Sequence, residues 1–144
     1  VYDLTGWEEA KNLEVLKFGC QAKDLSPLAS LTNLKDLHLA GTEISSLKIF
    51  SGLENLEKLS FRTGAIKDLS PLEGLPNLKI LELDGVEIAE FGPFSKLHSL
   101  ERFSHNNSDV SSISDVRNLT NLRFLAFQSV APCDLSTVGL LKKL

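Results

Sequence analysis

The sequence predicts an α/β repeat solenoid: a curved, right-handed stack with a parallel β-sheet on its concave face and 3₁₀ or short helical turns on its convex face. Two observations carry this expectation. An L-x-x-L-x-L unit recurs with its first leucine at Leu13, Leu34, Leu56, Leu78, Leu100, Leu122 and Leu144, in steps of 21, 22, 22, 22, 22 and 22 residues. A longer stretch, KDLSPLASLTNLKDLHLAGTEI from Lys23 to Ile44, returns as KDLSPLEGLPNLKILELDGVEI from Lys67 to Ile88. A unit this short cannot bury its own apolar face, so such units stack and share one core.

Each half of the repeat has its own period. The second and third apolar positions follow the first leucine at Leu16 and Phe18, Leu37 and Leu39, Leu59 and Phe61, Leu81 and Leu83, Phe103 and His105, Leu125 and Phe127. That alternation reads as a short strand with one buried face. The other half is spaced by threes, as in Leu47, Phe50, Leu53 and Leu56, which suits a 3₁₀ turn whose side chains eclipse at i and i+3. Strands stack about 4.8 Å apart. The bulkier turns lie opposite, so the sheet takes the inside of the curve. The expected organisation is a single domain over 1–144: a half-repeat at 1–12, repeats starting at 13, 34, 56, 78, 100 and 122, and a terminal half-repeat at 135–144. Leu4, Trp7 and Ala10 place Trp7 in the core of an N-terminal lid. No polar cap marks either end. The half-repeats are therefore caps themselves, or the chain is part of a longer protein, or an end pairs with another copy, as open strand edges favour.

The 22-residue period with these letters is the leucine-rich-repeat signature. The run D-L-S-P-L-x-x-L-x-N-L-x-x-L-x-L, at Asp24 to Leu39 and again at Asp68 to Leu83, resembles the repeats of bacterial internalin-like proteins. The resemblance covers essentially the whole chain. It implies the solenoid fold and a surface or secreted protein that engages a host protein. One feature departs from it. Internalin-like repeats place an Asn three residues after the last strand leucine, where this chain has Gln21, Thr42, Gly64, Val86, Ser108 and Val130. Gly64 and the valines have no side chain able to bond the turn backbone, so main chain or water must do so.

Composition narrows the class. The net charge is −4 with a pI near 5.4 and no basic stripe, which argues against a nucleic-acid partner. No apolar run approaches the ~20 residues of a membrane span, and no signal peptide is visible. The absence of Met leaves a trimmed start or a removed leader open. Cys20 and Cys133 fall in the first and sixth repeats, about 24 Å apart at ~4.8 Å per step, beyond the ~7 Å reach of a disulfide. Free thiols favour a reducing, cytoplasmic setting over secretion.

No phosphate loop, metal-ligand cluster or nucleophile elbow is present, and no cofactor is expected. His38 faces out from the sheet, His98 lies on the turn side, and His105 points inward, so the histidines do not converge. His105 reads as a core histidine bonded to nearby backbone, and the stretch it opens, with Asn106, Asn107, Ser108 and Asp109 following, suggests a local bulge or a loop rearrangement. Asn106-Asn107-Ser108 and Asn118-Leu119-Thr120 match the glycosylation triplet by chance. The residue after each first leucine alternates in charge (Glu14, Lys35, Glu57, Lys79, Glu101, Arg123), a row suited to holding register.

Binding is expected on the concave sheet, where strand residues between the leucines point outward. The first column is Val15, Asp36, Lys58, Ile80, Arg102 and Phe124. The second is Lys17, His38, Ser60, Glu82, Ser104 and Ala126. The third is Gly19, Ala40, Arg62, Asp84, Asn106 and Gln128. The partner-binding set is Asp36, His38, Lys58, Ser60, Arg62, Ile80, Glu82, Asp84, Arg102, Ser104, Asn106, Phe124 and Gln128. Core packing does not demand Ile80 or Phe124, and an aromatic beside an Arg is the composition of a binding hot spot. The expectation is a non-catalytic module that binds a protein partner, with no nucleic acid and no membrane insertion. It is either an internalin-like bacterial surface protein or a cytosolic adaptor or immunity protein that blocks a toxin. The alternative class is a structural spacer of a longer repeat protein.

Overall fold

In a computed structural model of the chain, the described residues are 3–19, 21–22, 24–42, 44–66, 68–88, 96–106, 114–128 and 136–144, with the side chains of 63–65, 87–88 and 114–115 left aside. Both cysteines, Ser108 and Val130 lie outside this set.

The strands are β1 (Val15–Gly19), β2 (Asp36–Ala40), β3 (Lys58–Ile66), β4 (Ile80–Ile88), β5 (Arg102–Asn106) and β6 (Phe124–Gln128). They form one parallel sheet in sequence order, a curved solenoid with 3₁₀ turns opposite. Leu37 pairs with Leu59 and Leu59 with Leu81, so the leucines stack along a common axis as the repeat requires. The register is set before each strand begins. The carbonyl of Glu14 accepts the N–H groups of both Lys35 and Asp36, at 2.8 and 3.1 Å, and Lys35, Glu57, Lys79 and Glu101 do the same one repeat on.

The D-L-S-P letters start the convex turns. Asp24 Oδ1 accepts the Ser26 N–H, and Asp68 Oδ1 the Ser70 N–H, each at 2.8 Å. Pro27 and Pro71 then enter 3₁₀ turns at Ser26–Ser30 and Ser70–Gly74, where a missing N–H costs nothing. Those backbone hydrogen bonds hold both carboxyls below the ordinary aspartate value.

The core is a continuous ribbon. Leu28, Leu31, Leu34, Leu47, Phe50, Leu53, Leu56, Leu72, Leu78, Leu119 and Leu122 are fully buried. Trp7 is only half-buried, its ring centroid 5.5 Å from that of Phe18, so it leans on the edge of the core. Leu125 and Phe127, on the last strand, are likewise half-buried.

The missing turn asparagines are compensated by main chain. In repeats 3 and 4 the sheet continues round the corner: Gly64 pairs with Val86, Ala65 with Glu87 and Ile66 with Ile88. Residues of β3 and β4 that would otherwise leave turn N–H and C=O groups open thus bond each other. Gly85, at φ 64°, makes the kink, a left-handed conformation that suits glycine. Thr42 takes the asparagine position in repeat 2 without its role, since its buried Oγ1 finds no hydrogen-bond partner among the described residues.

A different asparagine column carries a ladder. Asn33, Asn55, Asn77 and Asn121, just before the first leucine, each donate Nδ2–H to a carbonyl of the preceding repeat: Lys11, Thr32, Glu54 and His98, at 2.7 to 2.9 Å. The L-x-N-L letters of the motif are this ladder.

β5 is a regular strand over 102–106, paired on both sides; residues 107–109, where the sequence predicts a bulge or loop rearrangement, lie outside the described residues. His105 is fully buried in the core column between Leu83 and Phe127. Burial pushes its ring below the ordinary histidine value, while hydrogen bonds to backbone at His105 and Val86 pull the other way.

Candidate binding surface

Strand alternation delivers all three outward columns in register: Val15, Asp36, Lys58, Ile80, Arg102 and Phe124 are successive neighbours, and so are the members of the other two. The columns differ along their length in how far their groups satisfy one another.

The N-terminal part is largely self-paired. Lys17 Nζ lies 2.9 Å from Asp36 Oδ2, Lys58 Nζ 3.0 Å from Glu82 Oε2, and Arg62 Nε 3.6 Å from Asp84 Oδ2. His38 Nδ1 and Ser60 Oγ are 3.0 Å apart. Ser60 is a correction to the expected surface: at 4% exposure it is buried, a short side chain between His38 and Glu82. Asp36 Oδ2 is the oxygen that meets Lys17, and its buried Oδ1 has no hydrogen-bond partner among the described residues.

The C-terminal part is different. Phe124 is 40% exposed, and the Arg102 guanidinium carbon sits 4.1 Å from its ring centroid. Half-buried Ile80 is the next neighbour of Arg102 in the column. Ser104 and Asn106 are half-buried beside them, and Gln128 is exposed. An apolar and cationic patch therefore adjoins a neutralised polar field. Val15, 51% exposed, stands alone at the far end.

The charge row outside the sheet forms in part. Lys35 pairs with Glu14 and Lys79 with Glu57, each at 2.9 Å. Among the described residues no group of His, Cys, Asp or Glu is placed to hold a metal ion, and no helix is long and apolar enough to cross a membrane.

Sequence reasoning found the columns but missed the asparagine ladder, although its signal, Asn before the first leucine of most repeats, was in the sequence. It also missed the burial of Ser60, which no spacing reveals.

Comparison with known proteins agrees with this architecture. A family profile described as Leucine Rich repeats (2 copies) matches residues 32–74. Internalin C2 from Listeria monocytogenes superposes with a TM-score of 0.83 at 30% identity, covering 96% of this chain and 62% of that one. Two more distant structures share the fold. The internalin inlF from the same organism gives 0.73 at 23% identity, over 99% of this chain and 49% of that one. A leucine-rich-repeat protein of Leptospira interrogans gives 0.77 at 20% identity, over 95% and 37%. No curated protein matches the chain.

Proposed function

We propose that this chain, a leucine-rich-repeat protein whose repeats resemble those of bacterial internalins, is a non-catalytic interaction module that holds a protein partner on its concave sheet. The supporting observation is the exposed Phe124 ring with Arg102 stacked on it and Ile80 alongside. Nothing in the core requires these side chains there, and aromatic and Arg residues dominate the energetics of protein interfaces. The self-paired charges around Lys58 and Glu82 form a polar flank that excludes water from such a contact.

The likeness to internalin C2 supports the narrower reading of a bacterial surface protein that engages another protein. This chain spans 62% of that structure, so the partner of the whole protein belongs to the proposal.

The test is affinity capture with the wild type, Phe124→Ala, Arg102→Ala and the convex-face control Lys48→Ala. Partners retained by the wild type and the control but lost from the two concave variants support the reading. Equal capture by all four ends it.

A further inference from the structure

A groove opens on the rim of the solenoid, along the loops that lead into β4, β5 and β6, where Ser99 interrupts the asparagine ladder. Asn77 and Asn121 reach back to the carbonyls of Glu54 and His98. Ser99 stands between them in the same column and is too short to do so. Its Oγ donates instead to the carbonyl of Leu78 at 2.9 Å, and Pro76, whose carbonyl is the counterpart of those two, receives no side-chain amide among the described residues. The space, about 270 Å³, is lined by the two asparagines together with Pro76, Lys79, Ser99, Glu101, Arg123 and Lys143.

The groove is cationic in an acidic protein. Residues 96–144 carry six Lys and Arg against four Asp and Glu, whereas 1–95 carry nine against fifteen. Within the groove, Lys79 is held by Glu57 and Lys143 rests on Asn121 Oδ1. Arg123 follows Glu101 by one repeat, as Lys35 follows Glu14, yet makes no ion pair among the described residues. Its fork of donors is therefore available to a carboxylate. Arg123 also adjoins the concave patch. Its N–H and that of Phe124 share the Glu101 carbonyl, at 2.8 and 3.1 Å.

Building on the concave-sheet reading, the geometry points to the chemistry of the partner: an acidic protein segment carrying an apolar side chain. The apolar residue packs on Phe124 and Ile80. Its carboxylates meet the edge of the Arg102 guanidinium, whose face is taken by the ring, and cross the rim to Arg123 and Lys143. A nucleic-acid strand is the competing anion. It is disfavoured because the acidic N-terminal two-thirds of the chain repels an extended polyanion.

The probes are labelled peptides of about twelve residues, alternating Glu and Ser around one central Leu, the same peptide with Lys for Glu, and an oligonucleotide of similar length, read by fluorescence anisotropy at low and high salt. The Glu peptide is expected to bind about tenfold more tightly than either competitor, and to weaken in salt. Arg123→Glu with Lys143→Glu, both at exposed positions, is expected to lose about tenfold. Ser99→Asn, which restores the ladder and fills the groove, is expected to lose affinity while keeping the fold. Equal binding of the three probes, binding of none, or an indifferent double variant overturns the assignment. Capture of a protein partner that depends on Phe124 but not on Arg123 and Lys143 refutes this inference alone. Capture that depends on neither refutes the concave-sheet reading as well.

Discussion

Arg102 and Phe124 sit directly opposite each other on β5 and β6, with the guanidinium carbon 4.1 Å from the ring centroid. A cation over an exposed ring contributes about 0.5–1 kcal/mol. The larger consequence is preorganisation: two rotamer-rich side chains are already held, which lowers the entropy lost when a partner lands on them.

Truncating either residue should therefore affect binding more than folding. Phe124→Ala or Arg102→Ala is expected to weaken partner binding by about 2 kcal/mol and to cost folding no more than the ~0.5–1 kcal/mol of the ring–guanidinium contact, a Tm shift of a few degrees at most. Calorimetric titration beside a circular-dichroism melt measures both.

Leu81→Ala should behave in the opposite way. Leu81 is fully buried and lies between Leu59 and Phe103 in the core column, so no loop can close over the hole. A loss of about 2–5 kcal/mol in urea unfolding is expected.

His105 makes stability depend on pH. Its folded value lies below the ordinary 6.5 because burial disfavours the charged ring. Between the folded value and 6.5 the unfolded chain binds a proton that the native state does not, so stability rises with pH across that window. It is fully present above 6.5 and is lost as pH falls towards the folded value. His105→Leu, matching Leu83 in the same column, should flatten urea midpoints measured from pH 7.5 to 5. An unchanged slope would remove His105 as the cause.

The ladder can be tested at its gap and at an intact rung. Asn77→Ala strands the Glu54 carbonyl and should cost about 0.5–1.5 kcal/mol. Ser99→Asn should stabilise by a similar amount if its amide reaches Pro76. Paired melts of the two variants are the measurement.

The fold was legible because burial repeats with the letters. A leucine every 22 residues must stack on its counterpart to leave water, and that requirement alone sets six strands in register. His105 was legible for the same reason, since its place in the column put it inside. The three outward columns followed from strand alternation. β5 runs regularly through His105 to Asn106, because the core column tolerates a buried imidazole bonded to backbone; the rest of the stretch expected to bulge or rearrange, 107–109, lies outside the described residues. Ser60 was misplaced on the accessible surface because its burial depends on the length of its cross-strand neighbours, and not on the face it occupies.

The sequence by itself determined the solenoid, the order of its strands and which side chains look outward, since each follows from periodic burial of apolar groups. Only the tertiary structure decided which of those side chains neutralise one another, where β3 and β4 pair beyond the corner in place of absent amides, and that a groove opens where a serine stands at position 99. Those outcomes depend on reach between groups one repeat apart. A one-dimensional pattern specifies that two residues are neighbours, but the length and direction of their side chains settle whether they touch.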